Sequence, residues 1–169
     1  MSKRAERLII SLFILFVLAV GAQFIDPAPT APPGSEANHS SAEATLERVI
    51  DGDTIMVSDG RSVRLIGVDA PELRHGSKPA EPYGMEASAH LRQLIGTSKV
   101  RLERDISETD KYGRLLRYVY VADENLSVRM ARDGYAKSLT IPPDVRFAAE
   151  IRNAVSEARE AHRGLWSSK

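Results

Sequence analysis

The sequence predicts an α+β domain in which a five-stranded β-barrel carries about three helices, preceded by an N-terminal hydrophobic segment. Three short β-type runs come first, an amphipathic helical run follows, and two further β-type runs come after it. This order of strands and helix is that of an OB-fold barrel. Such barrels often bind oligonucleotides across one face, but a fold does not by itself establish a function.

Residues 1–25 are predicted to be a signal peptide or a signal anchor. Lys3, Arg4 and Arg7 precede an uncharged apolar run that reaches residue 25. A signal peptidase could cut after Ala22, but the run is also just long enough to span a bilayer if it stays uncut. In both cases the basic end stays on the cytoplasmic side of the membrane. We therefore expect export across the bacterial inner membrane, with the domain secreted, periplasmic or membrane-anchored outside the cytoplasm.

Residues 26–44 read as a flexible linker, because they are rich in Pro, Ala and Ser and cannot bury a core. The folded domain is then expected over residues 45–169. The chain carries 23 basic and 23 acidic side chains, which excludes a protein that coats DNA by bulk charge. It has no cysteine, which excludes a disulfide framework and a thiolate metal site.

The first three strands of the barrel are expected before residue 70. Strands are predicted at 45–50 and 54–58, with a bend or bulge at Gly52 between them. The run Ser-Asp-Gly-Arg at 58–61 is a hairpin signal. A third strand over 62–69 is expected to end before Pro71.

The rest of the domain alternates helices and strands. Apolar residues at helical spacing predict helices, and each helix ends near a glycine. The predicted elements are a helix over 84–95, strands over 99–104 and 115–121, and helices over 126–132 and 144–163.

The stretch 49–72 concentrates carboxylates among short apolar runs. It contains Asp51, Asp53, Asp69 and Glu72, and Arg64 lies within an apolar strand. Carboxylates beside apolar strand residues are costly to bury unless they are neutralised, and a hard divalent cation takes oxygen ligands. An arginine in such a run requires an anionic partner, either a carboxylate or a phosphate. The combination indicates metal-assisted phosphoryl chemistry. The alternative for a single aspartate near a turn is a capping role.

Three segments in order resemble the thermonuclease family, the staphylococcal-nuclease-like domains. They are the stretch 49–72, the block DKYGR at 110–114 and the block GLW at 164–166. The resemblance covers roughly residues 45–167 and implies the same OB-fold. It also implies a calcium-dependent nuclease that hydrolyses phosphodiester bonds in DNA and RNA and leaves 3′-phosphate ends. We expect the chain to be a monomer.

The resemblance also assigns roles at matching positions. Calcium ligands are implied at Asp53 and Asp69, together with the backbone carbonyl of Ala70. Arg64 and Arg114 are implied to hold the phosphate and stabilise the transition state. Glu72 is implied to orient or deprotonate the attacking water, and the sequence leaves these two roles open.

The resemblance also covers two substrate contacts, and near residues 140–142 this chain differs from some relatives. Lys111 and Tyr112 resemble residues that contact a flanking nucleotide phosphate. Some relatives carry tyrosines near Thr140 and Pro142 that pack on a nucleotide, and these rings are missing here. A catalytically silent nucleic-acid-binding OB-fold module, tethered to a membrane, is the alternative function. The presence of all the implied catalytic and metal-binding side chains argues against it.

Overall fold

The computed structural model describes residues 41–73 and 79–167. The predicted signal or anchor segment, and the predicted linker up to residue 40, lie outside the described residues. Within the part of the chain that is described, no helix has both the length and the apolar character to cross a bilayer.

A closed barrel of five strands forms the centre of the domain. Its strands are β1 (Ser41–Asp51), β2 (Thr54–Val57), β3 (Ser62–Leu65), β5 (Lys99–Glu103) and β6 (Leu115–Val121). They pair in the order β3-β2-β1-β5-β6, and a parallel pairing of β3 with β6 closes the ring. Alternate side chains fill the interior, including Val57, Val63 and Leu102, which are almost fully buried. The predicted OB-fold barrel is therefore confirmed.

Strand β1 is long and bent, which lets one strand serve two neighbours. Its first half pairs with β5, and its second half pairs with β2. The pairing register with β2 shifts twice, the second time between Val49 and Asp51. Irregularities of this kind bend a strand and increase its twist. β1 begins four residues earlier than the predicted strand of 45–50, because residues 41–44 pair with β5.

The prediction of a single third strand over 62–69 is wrong, because the structure has two short strands there. The chain turns after β3 at Gly67, whose φ of +89° is a conformation that glycine adopts without strain. It then forms β4 (Val68–Asp69), which pairs with β8 (Lys137–Ser138) in a separate two-stranded sheet. This second sheet was not predicted, because two-residue strands leave no periodic signal.

Three helices cover the barrel, as predicted. They are α1 (Gly84–Ile95), α2 (Leu126–Arg132) and α3 (Ala148–Glu160), and a short strand β7 (Glu124–Asn125) precedes α2. Helix α1 buries Ala87, Leu91 and Ile95, which lie on one face at a spacing of four residues. The first two helices have the predicted bounds, whereas α3 is shorter than the predicted 144–163.

The segment before α3 folds as a turn because Asp144 is bonded outside the helix. Its Oδ1 accepts hydrogen bonds from Ile106 N at 2.9 Å and from Ser107 N at 2.8 Å. Burial opposes ionisation of this carboxyl, but the bonds from Ser107 and Ile106 outweigh it and lower the pKa of Asp144. This contact fixes the loop between β5 and β6 against the start of α3, and both segments line the cavity described below.

Candidate active site

The buried carboxylate of Asp53 lies at the centre of the site. Asp53 follows the end of β1 and is 2% exposed. Its Oδ2 accepts a hydrogen bond from the Ala70 backbone N–H at 2.8 Å and pairs with Arg64 Nη1 at 2.7 Å. Its Oδ1 accepts from the Thr54 hydroxyl at 3.0 Å. One side chain thereby joins the β1–β2 turn, strand β3 and the exit of β4.

Gly52 allows these segments to approach one another. A Cβ atom at this position would lie 2.6 Å from the Ala70 Cβ and 2.7 Å from the Ala87 Cβ. Real Cβ atoms do not approach so closely, so any larger residue would push Ala70 away from Asp53. The sequence predicted a bend at Gly52, but this second requirement appears only when the fold places Ala70 and Ala87 against it.

Arg64 brings the two predicted metal ligands together. Its guanidinium contacts Asp53 through Nη1 and the Asp69 Oδ1 through Nη2, the latter at 3.4 Å. The Asp53 side chain is almost completely buried, whereas about half of the Asp69 side chain is exposed. The two aspartates, 16 positions apart in the sequence, therefore lie on one guanidinium at the edge of the barrel.

The Asp53 carboxylate is only partly neutralised by its surroundings. Burial raises the pKa of Asp53 to about 7, Arg64 opposes this rise, and the nearby Asp51 carboxylate adds to it. Asp51 is itself buried, and its Oδ1 accepts a hydrogen bond from Asp53 N at 3.1 Å. Arg64 pairs with both Asp53 and the exposed Asp69, and the buried Asp51 lies next to Asp53, so this one guanidinium leaves an excess of negative charge.

A hard cation would neutralise this excess of negative charge. The carboxylates of Asp53 and Asp69 and the adjacent Ala70 carbonyl are oxygen donors of the type that Ca²⁺ takes. Among residues 41–73 and 79–167, no group of three or more His, Asp or Glu side chains is arranged to hold a metal. A cation here would therefore depend on two carboxylates, completed by backbone or solvent oxygens.

Glu72 lies just beyond Pro71, at the exit of β4, and its backbone is held in place. Its carbonyl accepts from Glu81 N at 2.9 Å, and its N–H donates to Glu81 Oε2 at 3.4 Å. A Cβ on Gly84, the first residue of α1, would lie 2.5 Å from the same carbonyl. Partial burial raises the pKa of Glu72, and the Asp51 carboxylate adds to this rise. A raised pKa makes this carboxylate a better proton acceptor.

Arg114 is oriented by Asp110 within the DKYGR turn. Asp110 Oδ1 accepts from the backbone N–H groups of Tyr112 and Arg114, and its Oδ2 accepts from Arg114 Nε at 2.7 Å. Gly113 has a φ of +81°, which completes the turn. Because Nε is held by Asp110, the far end of the guanidinium points toward Thr54, with 3.5 Å between Nη1 and Oγ1.

A continuous series of contacts links the predicted residues. Arg114 contacts Thr54, Thr54 contacts Asp53, and Asp53 contacts Arg64, which contacts Asp69. Thr54 was missed in the sequence, since a threonine that opens a strand gives no signal of its own. Asp110 both supports the turn and aims Arg114.

The two arginines line one cavity of about 510 Å³, which we call the arginine cavity. Lys111 and Tyr112 also line it and are exposed. The Tyr112 ring lies 5.0 Å from the Lys111 ammonium and 5.5 Å from the Arg114 guanidinium. The remaining wall is mostly aliphatic and includes Leu139, Ile141 and Pro142. All four cationic or aromatic residues predicted to contact substrate therefore lie on one cavity.

The chain is similar to several known proteins. A family model described as staphylococcal nuclease homologue matches residues 62–168, which include every predicted site residue except Asp53. The thermonuclease of Staphylococcus hyicus is 34% identical over 171 residues, covering 99% of this chain and 100% of the relative. The thermonuclease of Staphylococcus intermedius is 41% identical over 124 residues, covering 72% of this chain and 74% of the relative. The endonuclease YncB of Bacillus subtilis is 34% identical over 140 residues, covering 80% of this chain and 66% of the relative.

Replacing Asp53 with asparagine tests the unneutralised charge. The pKa of Asp53 is raised from 3.8 when unfolded to about 7 when folded. The folded state therefore holds a proton that the unfolded state has lost, and this carboxyl destabilises the fold increasingly as pH rises between these values. In a buffer with chelator, we expect the free energy of unfolding of Asp53→Asn, relative to wild type, to increase from about pH 4 to about pH 7.

Denaturant unfolding at several pH values measures this difference. Asp123→Asn, at an exposed turn position, is the matched control and should show a constant difference. A constant difference for Asp53→Asn as well would mean that Asp53 is fully neutralised by Arg64.

Proposed function

We propose that this chain, which belongs to the staphylococcal nuclease homologue family, is a calcium-dependent nuclease. It hydrolyses phosphodiester bonds within DNA and RNA and leaves 3′-phosphate ends. The observation that carries the proposal is the linked set of Arg114, Thr54, Asp53 and Arg64, which places two guanidiniums and a buried carboxylate beside one cavity.

The carboxylates of Asp53 and Asp69 and the carbonyl of Ala70 would hold the calcium ion. When bound, calcium would offset the negative charge of the phosphodiester and of the transition state. Arg64 contacts both carboxylates and also lines the arginine cavity. The remaining N–H groups of its guanidinium can therefore donate to a phosphate oxygen that lies between these carboxylates and the arginine cavity.

Arg114 supplies the second guanidinium. Asp110 holds Nε and so orients the planar guanidinium, whose terminal N–H groups can donate to a phosphate. Two planar donors on a pentacoordinate phosphorus stabilise charge that is greater in the transition state than in the substrate. Loss of one such donor typically costs about a hundred- to a thousand-fold in rate.

Glu72 is proposed to accept the proton of the attacking water. The water oxygen forms a bond to phosphorus, its proton passes to Glu72, and the bond from phosphorus to the 5′ oxygen breaks. The 5′ oxygen takes a proton from solvent and leaves as a hydroxyl, Glu72 returns its proton to solvent, and the phosphate stays on the 3′ oxygen. The raised pKa of Glu72 and the fixed backbone on both sides of it support this role.

A silent nucleic-acid-binding module is the alternative within the same fold. Nothing in the cavity itself distinguishes binding from cleavage, because both use the arginines. The distinguishing feature is Glu72, whose raised pKa suits it to accept a proton during cleavage.

Glu72→Gln separates cleavage from binding. Glutamine keeps the size and one acceptor oxygen but cannot accept a proton at neutral pH. We expect oligonucleotide affinity, measured by fluorescence anisotropy with calcium, to stay near wild type, and single-turnover cleavage to fall about a hundred-fold or more. Glu86→Gln, on the exposed first turn of α1, is the control and should change neither quantity. Unchanged cleavage in Glu72→Gln removes Glu72 from the mechanism. Binding without cleavage in the wild type supports the silent module.

We further propose, from the sequence alone, that the domain acts outside the cytoplasm. The basic residues before the apolar run, and the run itself, support export by a signal peptide or anchor. The N-terminal sequence of the mature protein from fractionated cells decides between the two. A product that begins near Gln23 indicates secretion, and an intact product in the membrane fraction indicates an anchor. A full-length product in the cytoplasm contradicts export.

A further inference from the structure

A second cavity, of about 700 Å³, lies beside the site and has no assigned role. We call it the tryptophan cavity, because Trp166 lines it together with Pro71, Tyr83 and Lys137. It shares no lining residue with the arginine cavity. Its volume is within the range of sites that bind small ligands.

The two-stranded sheet of β4 and β8 separates the two cavities. Along β4, Val68 lines the arginine cavity and Pro71, just beyond the strand, lines the tryptophan cavity. Along β8, Lys137 lines the tryptophan cavity and Leu139, just beyond the strand, lines the arginine cavity. Asp69, between Val68 and Pro71, is therefore at the boundary between them. A phosphodiester bound at Arg64, next to Asp69, would have one cavity on each side.

Lys137 gives the tryptophan cavity a cation close to this boundary. Lys137 pairs directly with Asp69 across the two strands, so the two side chains emerge on the same face of the sheet. It is exposed, and within the described part of the chain no carboxylate lies at ion-pair distance from its ammonium. Glu81 also lines the cavity, but its carboxylate accepts from the Glu72 backbone N–H at 3.4 Å, which directs it toward the site.

Aromatic side chains form the other walls. The Trp166 ring is half-buried and has the Arg159 guanidinium 4.3 Å from its centroid. The Tyr83 hydroxyl lies 2.7 Å from Ser167 Oγ, which fixes the start of α1 to the C-terminal turn. A cation next to aromatic rings is the combination that binds single-stranded nucleic acid, through the phosphate and the face of a base.

We propose that the tryptophan cavity binds the nucleotide on the opposite side of the cleaved bond from the nucleotide in the arginine cavity. Lys137 contacts its phosphate, and its base lies against Trp166 and Tyr83. The strand would then cross the site from one cavity to the other, as internal cleavage of a chain requires. This inference rests on the proposed function, since both cavities would be occupied by one substrate.

Trp166 provides a direct readout because it is the only tryptophan in the chain. The experiment uses the full chain in mild detergent, with Glu72→Gln to prevent cleavage and calcium present, and oligothymidylate as the probe. We expect the fluorescence of Trp166 to change on titration, with the same midpoint as the anisotropy of a labelled oligonucleotide.

Lys137→Gln tests the cation in the same background. We expect oligonucleotide affinity to fall several-fold, and the slope of log affinity against log salt to decrease in magnitude by about 0.7, the value for one phosphate contact on a single strand. Lys99→Gln is the matched control, since Lys99 is an exposed strand lysine that pairs with Glu43 and lines neither cavity. It should change neither quantity.

The outcomes separate this inference from the function on which it rests. The proposal for the tryptophan cavity is overturned if an oligonucleotide binds but the emission of Trp166 does not change. It is also overturned if Lys137→Gln keeps the wild-type affinity and salt slope. Either result leaves the nuclease proposal intact. No oligonucleotide binding and no cleavage by the wild-type chain overturns both.

Discussion

The buried carboxylate of Asp53 is the constraint on which the rest of the site depends. It is 2% exposed and bonded to the Ala70 N–H and to Arg64, so it fixes the turn after β1, strand β3 and the exit of β4 relative to one another. Burying a carboxylate is costly unless it is paired and hydrogen-bonded. Here the pairing is incomplete, because Arg64 also pairs with Asp69 and the nearby Asp51 carboxylate adds negative charge. We attribute the capacity to bind a divalent cation to this remaining charge.

The barrel topology supplies the rest of the site around Asp53. The parallel pairing of β3 with β6 sets Val63 beside Leu115, which brings the DKYGR turn next to the strand that carries Arg64. Asp110 then aims Arg114 at Thr54. Glu81 hydrogen-bonds the backbone of Glu72, and Gly84 leaves room for the Glu72 carbonyl. The pairing of β3 with β6 and the contact between Arg114 and Thr54 join segments that are distant in sequence, so the closed barrel determines this part of the site's geometry.

Most of the fold could be predicted from the sequence, and candidates for the site could be proposed from it, because both leave local or periodic signals. Helix α1 was predicted from apolar residues four apart, and the carboxylates stood out against apolar strands. The second sheet could not be predicted, because β4 and β8 are two residues long. Nor could the requirement for Gly52, which arises from contacts with Ala70 and Ala87 across the fold. The role of Thr54 likewise depends on its position between Asp53 and Arg114.

The most direct test of the central claim is the affinity for calcium as a function of pH, measured by calorimetry on the wild-type chain. Calcium requires the ionised carboxylate, and the pKa of Asp53 is about 7, so a proton competes for the site below neutrality. We expect affinity to rise by up to about tenfold for each pH unit between about 5.5 and 7, and to level off above that range, with about one proton released per ion at the lower end. An affinity that is constant across this range, or an absence of calcium binding at about pH 8, would contradict the assignment of Asp53 as the buried ligand.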